Sequence, residues 1–129
     1  MVAADTNVWA RALLDDDALH SPRARNALIG ARSKGGVFVP LIVMAELAWV
    51  LRSKWERGRV LASLEDFLHA EGVTVESPSI VEEAIEASRS GKGGFADQLI
   101  AKVGYANGAF QVITLDQKFA RSANVRLLR

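Results

Sequence analysis

Short apolar runs alternate along the chain with longer stretches of helical patterning, and this alternation limits the fold more than any other feature. The runs are Val2-Ala3-Ala4, Val37-Phe38-Val39, Val73-Thr74-Val75 and Val112-Ile113-Thr114-Leu115, with Val125-Arg126-Leu127 a weaker fifth. The first, second and fourth are apolar on successive residues, the pattern of strands buried on both faces of a parallel sheet. The helices between them carry readable ends. Ser21-Pro22 offers a cap and a first-turn proline for a helix through about Ser33, and Gly35-Gly36 stops it. Pro40 opens the next, through about Ser53; Gly58 to Ala70 follows, ended by Gly72. Ser79 with Glu82 reads as a capping box for a helix to about Ser90, and Gly93-Gly94 introduces Phe95 to Asn107, with Gly108 as its stop. The expected product is a three-layer α/β domain with right-handed crossovers.

A chain of 129 residues and 14.0 kDa suits a single domain, residues 1–129. It has no cysteine, which removes disulfide scaffolds, thiolate zinc sites and cysteine nucleophiles. Sixteen Lys and Arg against 15 Asp and Glu leave a net charge of +1, so a grossly basic nucleic-acid coat is excluded while a local basic patch is not. Asp5 interrupts the apolar start with no basic segment before it, unlike a signal peptide. The longest nearly apolar stretch, Val37 to Leu51, contains Pro40 and Glu46 and is too short to span a bilayer. A soluble, cytoplasmic protein with no membrane partner is expected.

Four carboxylates stand out. Asp5 follows the first apolar run and Asp116 the fourth, and groups just past the carboxyl ends of parallel strands line the ligand crevice of open α/β sheets. Asp5 equally suits a helix N-cap, and Asp116 a turn before Gln117-Lys118-Phe119. Glu46 is the only polar residue of Leu41 to Leu51; a helix apolar on nearly every side is expected to be buried, and a carboxylate there needs a cation or a polar cleft. Asp97 falls in the first turn of the helix behind Gly93-Gly94, where the helix dipole alone favours an acid. Four convergent carboxylates with no histidine or cysteine ligand define a hard-cation site, suited to Mg²⁺ or Mn²⁺. Asp15-Asp16-Asp17 reads as a solvated acidic run, and His20 and His69 lack zinc spacing. Arg52, Lys54, Arg57 and Arg59 form the strongest basic segment, able to contact RNA phosphates or simply to be a solvated helix end. Trp49 and Trp55 flank it and suggest core or dimer contacts.

Taken together these residues resemble the PIN-domain ribonucleases, in particular the VapC-like toxins of type II toxin–antitoxin pairs. The resemblance covers almost the whole chain and rests on Asp5-Thr6-Asn7, Pro40 through Glu46-Leu47, Phe95-Ala96-Asp97-Gln98-Leu99-Ile100-Ala101, and Thr114-Leu115-Asp116 followed by Lys118-Phe119. It implies a PIN-like α/β/α fold with a mostly parallel sheet of about five strands. It also implies Mg²⁺ or Mn²⁺ held by acids matching Asp5, Glu46, Asp97 and Asp116, with Thr6, Asn7 and Thr114 as auxiliary polar groups. A homodimer inhibited by a small cognate antitoxin is implied as well. One departure stands out: many relatives carry a further acid about three residues before the Asp97 position, where this chain has Gly94, and a second metal therefore lacks one of its usual ligands.

The resulting expectation is a metal-dependent endoribonuclease cutting single-stranded or loop RNA. Asp5, Asp97 and Asp116 would hold the metal and Glu46 would orient the attacking water, leaving 5′-phosphate and 3′-hydroxyl ends. The alternative is a non-catalytic RNA- or protein-binding module on the same fold, with the acids serving as caps and salt bridges.

Overall fold

A computed structural model describes all residues from Met1 to Arg129. The chain divides into two compact units, Met1–Ser77 and Pro78–Arg129.

The first unit holds strand β1 (Val2–Ala3), helices α1 (Thr6–Leu14) and α2 (His20–Ser33), strand β2 (Val37–Val39), helices α3 (Leu41–Arg52) and α4 (Arg57–His69), and strand β3 (Val73–Val75). Its three strands pair in chain order, all parallel, with Val2 opposite Val37 and Val37 opposite Val73. Each parallel step crosses over through two helices, since strands running the same way cannot be joined by a tight turn. Central β2 is enclosed: Val37 and Val39 are fully buried. Edge strand β1 is not, and Val2 is half exposed, so burial on both faces holds for β2 alone. Two paired residues at a sheet edge leave much of β1 uncovered by the crossovers that enclose its neighbour.

Helix α3 corrects a second expectation. Val43, Met44, Leu47, Ala48 and Leu51 form one buried stripe at i, i+1, i+4, i+5 and i+8. The opposite face, despite its composition, is open: Ile42 is 69% exposed, Trp49 83%, and Glu46 stands between them. Glu46 is therefore not a carboxylate sealed in an apolar helix, and burial does not demand a cation for it. Trp49 likewise is no core residue. Trp9 and Phe67 take the core role instead, both buried and meeting edge to face at 4.7 Å between ring centres.

The second unit holds α5 (Pro78–Arg89), α6 (Phe95–Ala106), β4 (Val112–Thr114), a 3-10 turn (Phe119–Arg121) and β5 (Val125–Leu127). Strands β4 and β5 pair in parallel, Val112 opposite Val125. Strand β4 is only partly covered, and Ile113 is exposed. Helix α5 packs on α6 and buries Val81, Ala84 and Ile85, and Ala101, Phe119 and Val125 form a cluster flanked by Tyr105 and Val112. Because α5 starts at Pro78, with the proline in the favoured first helical position, Ser79 lies inside the first turn and does not cap it. All three strand pairings are parallel and six α-helices intervene, the α/β class expected from sequence; the five strands are hydrogen-bonded as sheets of three and two. No helix is long and apolar enough to cross a membrane.

Candidate metal centre

Asp5 leaves β1 with extended backbone (φ −77°, ψ 172°) and caps α1: its Oδ1 accepts the Val8 N–H at 3.1 Å. This satisfies one of the four N–H groups a helix start leaves open. Thr6, the first helical residue, then points its hydroxyl at α3, and Oγ1 donates to Glu46 Oε1 at 2.8 Å. Two residues 40 positions apart are thereby joined, and Glu46 is tied to the residue adjoining Asp5. A cavity of about 470 Å³ opens beside Asp5, with Asn7, Arg11, His20 and Arg23 among its lining.

In the second unit Asp116 lies two residues past the end of β4. Its Oδ1 accepts the N–H groups of Lys118 (2.8 Å) and Phe119 (3.0 Å), and its own N–H donates to Thr114 Oγ1 at 3.0 Å. That is an Asx turn opening the 3-10 turn. Asp97 occupies the third position of α6, and its Oδ2 accepts the Gly94 N–H at 3.3 Å, half of a capping box. Gly94 at the N-cap has no side chain to return the other half.

Asp5, Asp97 and Asp116 therefore perform the local duties that caps and turns ask of them, Glu46 accepts instead from Thr6 on another helix, and each of the four uses a single oxygen. Asp5 Oδ2, Glu46 Oε2, Asp97 Oδ1 and Asp116 Oδ2 accept no hydrogen bond from the protein. A carboxylate with one oxygen anchored and the other open is an oriented monodentate ligand. The donor set is all oxygen, with no thiolate or imidazole, which fits Mg²⁺ or Mn²⁺ in chemistry. Asp5 and Glu46 belong to the first unit, Asp97 and Asp116 to the second. No three His, Asp or Glu side chains assemble into a metal-sized group.

The remaining candidates fall into two kinds. The acidic run is consumed by pairing: Asp15 meets Arg25 at 2.6 Å, and Asp16 meets Arg11 at 3.1 Å. Asp17 Oδ1 accepts the N–H groups of Leu19 and His20 at the start of α2 while Oδ2 contacts His20 Nδ1 at 3.1 Å. The His20 backbone N–H, then the His20 ring, hold the Asp17 carboxyl down at about 2. In the basic segment, Arg52 Nη1 donates to the Trp55 carbonyl at 3.1 Å, and the Arg59 guanidinium lies 4.0 Å from the centre of the Trp55 ring. Lys54 projects into solvent, and Arg57 and Arg59 open α4 behind the cap supplied by Glu56. Cations at a helix N-terminus run against the dipole, so the helix-end account suits Arg52 alone. The Trp55 stack accounts for Arg59.

Patterning assigns no role to two residues that the structure employs. Glu76 Oε1 accepts the Leu41 N–H at 2.9 Å, capping α3 from 35 positions away because Pro40 brings no capping side chain. Gln98, 1% exposed, donates from Nε2 to the Lys92 carbonyl and to Ser122 Oγ. The readable signals were a proline at a cap position and an amide beside the Phe95–Leu99 stripe.

No curated protein and no solved structure matches the chain. The family model for the PIN domain does, over residues 2–125, a span that takes in β1, β4 and all four acids. PIN domains are generally nucleases that use divalent metal ions. With parallel strands, alternating helices and an acid two residues past the end of β1 and of β4, the chain belongs to the PIN-domain family.

Proposed function

We propose that residues 1–129 act as one PIN-like domain, a Mg²⁺- or Mn²⁺-dependent endoribonuclease for single-stranded or loop RNA. The observation that carries this reading is the Thr6–Glu46 hydrogen bond at 2.8 Å. An exposed glutamate on a helix has no structural need of a threonine 40 positions away. The bond ties the carboxylate to Thr6, the residue that adjoins Asp5, in a protein whose family generally cuts nucleic acids. Asp5, Asp97 and Asp116 are the residues that would hold the cation, each through its uncommitted oxygen. A divalent cation bound there supplies charge that offsets the phosphodiester and eases deprotonation of water. Glu46 Oε2, its partner oxygen held by Thr6, orients the attacking water and receives its proton. Asn7 lines the cavity beside Asp5, where a nucleotide of the substrate has room, and Thr114 holds the Asp116 backbone. Arg52, Lys54, Arg57 and Arg59 supply the positive surface for further phosphates.

In this reading the chain is the toxin of a toxin–antitoxin pair, working on cytoplasmic RNA. The exposed Ile42 and Trp49, seven residues apart on α3, support pairing as a homodimer. A cognate antitoxin would silence the site by placing a guanidinium among its carboxylates. One observation favours the second reading, a non-catalytic RNA- or protein-binding module: no three acids assemble into a metal-sized group, and Asp5, Asp97 and Asp116 already serve as caps or turns.

Purified protein incubated with mixed cellular RNA, with Mn²⁺ or with EDTA, separates the two. Metal-dependent cuts with 5′-phosphate ends are expected. Intact RNA under Mn²⁺, with RNA binding retained, would leave the binding module standing in place of the nuclease.

A further inference from the structure

Gln98 is a costly choice for its position. It lies 1% exposed between Phe95 and Leu99, where an apolar side chain would extend the stripe with no polar group to satisfy. What the amide adds is a clasp. Nε2 donates to the Lys92 carbonyl and, at 2.8 Å, to Ser122 Oγ, while Ser122 Oγ donates to the same carbonyl at 3.1 Å. Lys92 lies two residues before Gly94, whose N–H is bonded to Asp97. Ser122 closes the 3-10 turn, its N–H donating to the Phe119 carbonyl at 3.0 Å, and that same turn is opened by Asp116. A second tie runs alongside. Gly93 is buried with φ +98°, and a Cβ built there would stand 3.2 Å from the Phe119 Cβ, so loop and turn touch backbone to side chain.

We propose that Gln98 is a positioning residue whose amide clasps the loop before Asp97 to the turn after Asp116, so that the two carboxylates keep one relative placement. This rests on the assignment of both acids to the nuclease site. The clasp needs an amide with two donors on one nitrogen, which neither a leucine nor a glutamate supplies.

The experiment uses the full chain and four variants, Gln98→Leu, Ser122→Ala, Ser122→Thr and the Gln98→Leu/Ser122→Ala double. Amide hydrogen exchange is read at Lys118 and Phe119, whose N–H groups Asp116 holds, and at Val81 and Ile85 in the core as a control. Gln98→Leu removes both Nε2 bonds and is expected to speed exchange at Lys118 and Phe119 about three- to tenfold, the effect of losing the one of them that reaches the turn, with the core amides unchanged. RNA cleavage at 25 °C should lose about 10- to 100-fold in kcat with KM held within about twofold. Ser122→Ala should act in the same direction, Ser122→Thr should lie nearer wild type, and the double variant should be no worse than the more severe single one. Wild-type exchange at Lys118 and Phe119 in Gln98→Leu would overturn the proposal. So would exchange accelerated equally throughout α5 and α6, the mark of a purely structural role. Should Gln98→Leu fail to fold, the Ser122→Ala and Ser122→Thr comparison decides by the same amides. If wild type cuts no RNA, the nuclease reading falls while the exchange pattern still decides the clasp.

Discussion

Replacing Glu46 with glutamine separates a chemical role from a structural one, because the structure makes the expected costs very unequal. The amide oxygen that Glu46→Gln introduces can still accept the Thr6 hydroxyl that Glu46 Oε1 accepts at 2.8 Å. What is lost is the charge on the acceptor, worth about 1 kcal/mol as the difference between charged and neutral hydrogen bonds when shielded from water. Glu46 is exposed, and solvent screening reduces that to about 0.5 kcal/mol. For a domain of this size the melting temperature should fall by about 2 °C. A general base contributes about 10²- to 10⁴-fold to rate, so its removal raises the barrier by about 3 to 5 kcal/mol. The expected Glu46→Gln protein is therefore almost as stable as wild type and at least a hundredfold slower. The assay is single-turnover cleavage of an RNA substrate at 25 °C with saturating Mn²⁺, paired with thermal melts of the same preparations. Thr6→Val offers a graded control. It keeps the carboxylate but releases it, and should lower the rate by a smaller factor. Cleavage by Glu46→Gln within threefold of wild type would refute the reasoning, because the Thr6–Glu46 bond would then be only a surface contact.

Three further outcomes follow from particular contacts. The Asp17 carboxyl is held at about 2 in the folded chain against an ordinary 3.8, so its contribution is complete above about pH 5 and is lost as pH falls through 2; circular dichroism melts should show Asp17→Ala less stable than wild type at pH 6, with the gap closing as pH falls through 2. Gly94 has ordinary φ, and the nearest atom to a Cβ there is Asp97 Oδ2 at 3.9 Å, so Gly94→Asp should fold and, as a better N-cap, match wild-type stability within about 0.5 kcal/mol. Beside Asp97 the added carboxylate should enlarge the rise in melting temperature that Mn²⁺ produces, and an unchanged Mn²⁺ response would count against a metal at Asp97. The proposed homodimer predicts a dimer mass for wild type and a monomer mass for Trp49→Glu by light scattering at micromolar concentration, with no loss of monomer stability in the variant, since Trp49 is 83% exposed.

Much of the architecture could be read because it is written locally. Glycine stops, proline starts and short apolar runs located the five strands and five of the six helices to within a few residues, while α1 was marked only by Asp5 as a possible N-cap. What could not be read depends on partners distant in the chain. Leu41 to Leu51 looked buried all round because composition does not say which third of a helix meets the core; only packing reveals that Ile42, Glu46 and Trp49 share the open side. Val2 and Ile113 look like interior residues but sit on strands that their sheets leave partly uncovered. Ser79 and Glu82 match the capping-box spacing, yet Pro78 begins the helix one residue earlier. At the candidate site, the places of Asp5 and Asp116 just past strand ends were legible, as were their alternative duties, and the structure shows those duties performed. The Thr6–Glu46 bond and the Gln98 clasp, spanning 40 and 24 positions, left no periodic trace.

The parallel pairing has a kinetic consequence. In the first unit Val2 meets Val37 and Val37 meets Val73, so no strand can find its neighbour until some 35 residues have been gathered into a loop. In the second, Val112 meets Val125 after 13. Loop-closure entropy makes the longer search about 0.9 kcal/mol more expensive, a several-fold difference in rate before stiffness is counted. It also makes the helices prerequisites, because α1–α2 and α3–α4 must condense to shorten the two spans. Refolding should therefore show helical signal first and the first unit's sheet last, with β4–β5 formed in between.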